Sequence, residues 1–157
     1  MPETAKSAAT AAELIKLYGG RADEEMAALK SACPLTKEWF THCMQGYILD
    51  KFLLERDELK SERFNDIAEQ SIAKSAGVDK SLVKEFDQAR SCSGTSSVMA
   101  KKVLLFLKIQ RELGILLPAD RSAAVGTLTD LTDLIWEEVL KTPDSCIHEK
   151  AEKVTSV

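Results

Sequence analysis

Apolar side chains recur every three or four positions along most of this chain, and only seven glycines and four prolines are available to interrupt them. Strand-rich folds need turn chemistry every ten residues or so, which such a supply cannot meet. The expected fold is all-α. With 157 residues, one core is the default, and a chain of this size buries roughly 68–70% of its unfolded surface. The 45% hydrophobic and 29% charged fractions suit a globular domain and exclude disorder throughout.

Several functional classes fall away on the same grounds. A net charge of −4, without a run of five or six Lys/Arg residues, provides no face to collect phosphates, so nucleic acid is not an expected partner. No stretch approaches the ~20 apolar residues of a membrane span. The opening MPETAKSAATAAELIKLYGG lacks a basic region followed by an apolar block, and Glu3 and Glu13 count against a mitochondrial transit peptide. A cytoplasmic location is expected. Cys33, Cys43, Cys92 and Cys146 are widely spaced, form no C-x-x-C pair and are expected to be reduced thiols.

Catalytic and metal sets are equally thin. His42 and Cys43 are adjacent on a helix and diverge by ~100°, while Cys146 and His148 fall in a polar tail, so no metal site is expected. Ser71 and Lys74 match a serine–lysine nucleophile spacing, but mid-helix and without the accompanying motifs. No paired carboxylates, nucleophile–base pair or phosphate loop stands out, so the chain is not expected to be an enzyme and no catalytic residue is assigned.

The periodicity predicts a short helix over 9–18 stopped by Gly19-Gly20, then a second opened by Asp23-Glu24-Glu25 and ending near Pro34. A third, from Thr36 to about Lys60, carries Trp39, Phe40, Tyr47 and Phe52 as an aromatic core stripe. A fourth opens at Ser61, runs through Phe64, Ile67 and Ile72, and stops at Gly77. A connection of about twenty residues leads to the serine-rich turn SCSGTSS, where a fifth helix begins and runs to Leu113-Gly114. Val103 to Leu107 are consecutively apolar, so this helix is expected to be covered on two sides, the second by the N-terminal helices. A short turn over 119–124 and a Thr127/Asp130 capping box precede a last helix ending near Lys141.

From Ser61 to Lys141 the order is helix, long loop, helix opened by serine, short turn, helix. The stretches AKSAGVDKSLV, Gly94-Thr95-Ser96-Ser97 and RELGILLPADRSAAVGTLTDLTDLI resemble an acyl or peptidyl carrier protein. The spacing from Gly77 through Gly94 to Ser97 agrees with that family, and Gly114, Ile115 and Pro118 echo its glycine, isoleucine and proline. The resemblance implies a carrier-protein-like four-helix bundle over 61–141, with a helical extension over 1–60 packed on it and a polar tail over 142–157. It also implies a covalent 4′-phosphopantetheine on Ser97, flanked by Gly94 and Ser96, bearing an acyl or aminoacyl thioester. The implied partners are a phosphopantetheinyl transferase and loading or condensing enzymes, met by Val98, Met99, Lys101 and Lys102. The N-terminal helices are a candidate homodimer contact.

Three features depart from the family. Ser96 stands where the family has aspartate, Ser97 to Pro118 is longer by about two residues than in the typical bacterial carrier, and Lys101, Lys102, Lys108 and Arg111 oppose Glu112 alone on a helix usually acidic. A basic helix calls for partners with acidic or apolar surfaces. The alternative reading is an interaction module that keeps the carrier bundle without its prosthetic group.

Overall fold

The computed structural model describes residues 11–32, 35–76 and 96–142. Over the described residues the fold is all-α: α1 (Ala11–Ser31), α2 (Lys37–Lys51), a 3-10 turn (Arg56–Glu58), α3 (Phe64–Ala76), α4 (Ser97–Leu113), α5 (Ala119–Ala123) and α6 (Leu128–Leu140). The most extensive helix pairing is α1 on α2, followed by α2 on α6 and α3 on α4. An isolated bridge between Arg63 and Thr127 ties the start of α3 to the start of α6. There Phe64 N–H donates to Gly126 O at 2.9 Å and Leu128 N–H to Glu62 O at 3.0 Å.

Several of the expected boundaries are wrong. Gly19-Gly20 does not stop a helix; α1 runs straight through it for 21 residues. Tyr18, Ala22, Met26 and Leu29 lie on one face and are buried, so packing offsets the ~1 kcal/mol that each helical glycine costs. Among the described residues only Gly114 is a glycine at positive φ. Asp23-Glu24-Glu25, expected to open a second helix, therefore lies mid-helix. Glu25 packs against the backbone of α2, where a Cβ on Gly46 would meet its Oε1 at 2.9 Å.

The second error is at the end of α2, which stops at Lys51 and not near Lys60. Leu53 adopts φ 60°, the left-handed region that costs an ordinary residue about 1–2 kcal/mol. The reversal holds because it turns Phe52, Leu53 and Leu54 inward, all buried. Leu54 N–H then reaches back to Leu49 O at 2.9 Å. Ser71 donates its hydroxyl proton to Phe52 O at 2.5 Å, anchoring the reversed end on α3. That bond gives Ser71 a structural role and takes it out of the serine–lysine spacing.

The expected opening at Ser61 is three residues early, since α3 starts at Phe64, while the other described boundaries agree with the sequence. Ser61 Oγ accepts from Arg63 N–H at 3.1 Å just ahead of α3. Gly114 closes α4 in the left-handed conformation at φ 65°. Thr127 and Asp130 form a reciprocal capping box at the start of α6. One buried cluster draws on α1, α2, α3, α4 and α6, so the N-terminal helices share their core with α3, α4 and α6. The expected stop at Gly77, the connection to Ser96 and the tail beyond Thr142 lie outside the described residues.

The continuous α1 yields a direct check. No atom lies within 4 Å of a Cβ added at Gly19 or Gly20. Gly19→Ala and Gly20→Ala should each raise unfolding free energy by about 0.5–1 kcal/mol in urea titrations, whereas a left-handed helix stop would make both destabilising.

Candidate functional site

The start of α4 carries the residues singled out by the sequence. Ser96 has φ −70° and ψ 159°, outside the helix, and its Oγ accepts from Met99 N–H at 3.1 Å. It is the N-cap. Ser97 is the first residue of the helix proper and is half-buried. The capping duty that would otherwise explain a serine here therefore belongs to its neighbour. Aspartate and serine are comparable N-caps, so serine at position 96 fills the cap as an aspartate would, without the charge. Gly94 and Cys92 lie outside the described residues.

The four residues expected to meet partners do not share one exposure. Met99 is 49% exposed, whereas Val98 packs against the core. Lys102 folds back over the molecule, donating to Val125 O at 3.2 Å with its ammonium 5.7 and 5.8 Å from the Phe64 and Phe106 ring centroids. Lys101 lies 5.3 Å from the Phe52 centroid. Burial pushes both ammonium pKa values down. Their stems cover apolar surface, so much of the basic character read from this helix is turned inward. Further along, Lys108 pairs with Glu112 at 3.1 Å, and Lys30 of α1 takes the same carboxylate at 2.9 Å.

Among the described residues, the N-terminal helices do not provide the expected second cover of α4. Leu105, Phe106 and Ile109 are buried, but Val103, Leu104 and Leu107 are 45%, 67% and 54% exposed. Because α2 ends at Lys51, only its last turn and Phe52 reach this side, where Lys51, Phe52, Lys101, Leu104, Leu105 and Lys108 line a shallow groove of about 200 Å³. The aromatic stripe also divides: Phe40, Tyr47 and Phe52 are buried, while Trp39 is 47% exposed beside His42, ring centroids 6.4 Å apart.

A second, more polar pocket of about 380 Å³ lies between α1 and α2 and includes Arg21, Glu25, His42, Asp50, Glu55 and Arg56. Arg21 donates to both Glu55 oxygens, at 2.6 and 3.1 Å, and Tyr18 O–H donates to Oε1 at 2.9 Å. These bonds hold the Glu55 carboxyl down at about 2. Asp50, whose side chain is 5% exposed, sits 3.4 Å from Arg21. Burial nonetheless outweighs the guanidinium and pushes Asp50 up to about 6. Arg56 is engaged by His42 O at 2.7 Å and Gln45 Oε1 at 3.3 Å. Both guanidinium groups are already held, and the cluster acts as a clamp between α1 and the turn after α2.

Other candidates carry no chemistry here. No cluster of three or more His, Cys, Asp or Glu residues is arranged to hold a metal ion among the described residues. Cys43 is a buried free thiol pushed up to about 11, chiefly by burial and then by Glu25. No described helix is long and apolar enough to cross a membrane. The clamp was missed in the sequence, although Asp50 inside the apolar run YILDKFLL is the signal that marks it. No protein-family model, curated protein or solved structure matches the chain.

Two measurements check this geometry. Ser96→Ala should cost about 1 kcal/mol of stability in chemical denaturation, the usual loss for an N-cap. For Asp50 the folded pKa of about 6 exceeds the ordinary 3.8, so the folded state takes up its proton first and this group's contribution to stability improves as pH falls from above 6 towards 4. Glu55 acts oppositely, its stabilisation being lost as pH falls from 4.5 towards 2. Urea midpoints between pH 7 and 4.5 should rise more in the parent than in Asp50→Asn; identical profiles would contradict the assignment.

Proposed function

We propose that this chain is a carrier, holding an acyl or aminoacyl group as a thioester on 4′-phosphopantetheine esterified to Ser97. What chiefly supports the reading is the position of Ser97 as the first residue of a 17-residue helix whose cap is Ser96. Amides at a helix N-terminus and the positive end of its dipole favour a phosphodiester at that place. The order α3, long connection, α4, short α5 and α6 also suits the carrier resemblance.

The prosthetic group would supply a thiol on a flexible arm. The chain's own part is to present the attachment hydroxyl on a rigid element and to offer a docking face beside it. Tethering raises the effective concentration of cargo at successive active sites without tight binding at any of them. In this reading the partners are a phosphopantetheinyl transferase and loading or condensing enzymes in the cytoplasm, and the chain itself performs no catalytic step.

An unmodified interaction module is the second reading. The exposed Leu104 and Leu107 and the serine at position 96 favour it. Intact mass spectrometry after incubation with coenzyme A and a broad-specificity phosphopantetheinyl transferase separates the two. The carrier reading expects a gain of one phosphopantetheinyl group that disappears in Ser97→Ala. No gain, or one that survives the substitution, removes it and leaves the module.

A further inference from the structure

On α4, Met99, Val103 and Leu107 follow one another at four-residue intervals with Leu104 beside them, an arc of about 140° at ~100° per residue. All four are exposed. The opposite side of the helix, through Leu105, Phe106 and Ile109, is sunk in the core. Such a ridge has the spacing with which one helix packs on another.

Charge specifies the partner further. The groove on the flank of the ridge has Phe52, Leu104 and Leu105 as its apolar lining, and its other three residues are Lys51, Lys101 and Lys108. Among the described residues no carboxylate lines it. Lys51 and Lys101 lie over the Tyr47 and Phe52 rings, and neither forms an ion pair among the described residues. Lys108 shares the single Glu112 carboxylate with Lys30, so that pairing does not neutralise the rim. Lys101 is desolvated, which depresses its pKa, and an incoming carboxylate would compensate that cost. Lys102 is excluded, being committed to Val125 O.

We propose that this face binds an acidic amphipathic helix of a partner protein, seating an apolar side chain on Phe52, Leu104 and Leu105 while its carboxylates pair with Lys51, Lys101 and Lys108. Recognition of a helix by apolar anchors at i, i+3 and i+4 spacing is a general mode that this ridge matches. An anionic bilayer is the poorer occupant, because an interfacial helix immerses its apolar face ~5–10 Å and α4 is held by its other face in the folded core. The inference is independent of whether Ser97 is esterified.

The test uses the full chain with Ser97→Ala, so that loss of the carrier reading and loss of this one are distinguishable. The probe is a fluorescent stapled peptide helix with leucines at i, i+4 and i+8 and glutamates flanking them. Its counterpart has lysines in place of the glutamates. In anisotropy titrations the acidic helix should bind, weaken with added salt, and weaken by about tenfold or more in both Leu104→Glu and Lys51→Glu. Lys102→Met should leave binding unchanged. Circular dichroism establishes that each variant is folded, and exposed Leu104 and half-buried Lys51 furnish independent substitutions. The proposal is overturned if the acidic helix does not bind, if the basic helix binds equally, or if both variants bind as the parent does. Stronger association with anionic phospholipid vesicles than with the peptide would assign the face to a membrane. A dimer in sedimentation that Leu104→Glu abolishes would assign it to a second copy of the chain.

Discussion

The contact on which the arrangement depends is the row of rings Phe52, Phe64 and Phe106, with centroid separations of 5.5 and 5.9 Å and edge-to-face tilts. Each ring comes from a different piece of chain: the end of α2, the start of α3 and the middle of α4. Such pairs contribute roughly 0.5–1.5 kcal/mol beyond the apolar area they bury. Their position depends on the reversal at Leu53, because only a chain that turns there can point Phe52 towards α3 and α4 and Leu54 into the same core. Ser71 completes the joint through its bond to Phe52 O. Local backbone strain at one residue is thus offset by the burial of its neighbours.

That joint also decides what α4 presents outward. An α2 continuing to Lys60 would have been long enough to lie along the second apolar face. Ending at Lys51, it covers α4 only near Phe52 and leaves Val103, Leu104 and Leu107 open. The same geometry brings Lys51 alongside Lys101 and Lys108, a cationic rim made by two helices and visible in neither alone. Exposure and charge beside Ser97 therefore follow from where a different helix stops.

Electrostatics in this protein are divided between a closed cluster and an open one. Between α1 and the turn after α2, Arg21 and Tyr18 both donate to Glu55, with Asp50 buried beside Arg21. That cluster has already used its donors and serves to hold helices together. Where the end of α2 meets α4, by contrast, Lys51 and Lys101 rest over aromatic rings without an ion-pair partner among the described residues. Counting charges along the sequence treats the two situations alike, whereas burial and pairing separate a structural clamp from a surface with unmet charge.

By itself the sequence determined the all-α class, the extents of α4 and α6, the capping box at Thr127 and Asp130, and the stop of α4 at Gly114. These follow from interactions spanning a few residues, so local spacing is enough to reveal them. Serine in the turn before α4 was equally legible, although which serine caps required the backbone angles of Ser96. Only the tertiary structure decided that α1 passes through Gly19-Gly20, since burial of Tyr18, Ala22, Met26 and Leu29 against another helix offsets a local preference to stop. It also decided that Trp39 is open while Phe40 is buried, and that Lys102 turns inward while Leu104 points out. An apolar run such as Val103 to Leu107 shows that a helix has more apolar surface than one face needs; which face finds a partner depends on contacts between residues distant in the chain.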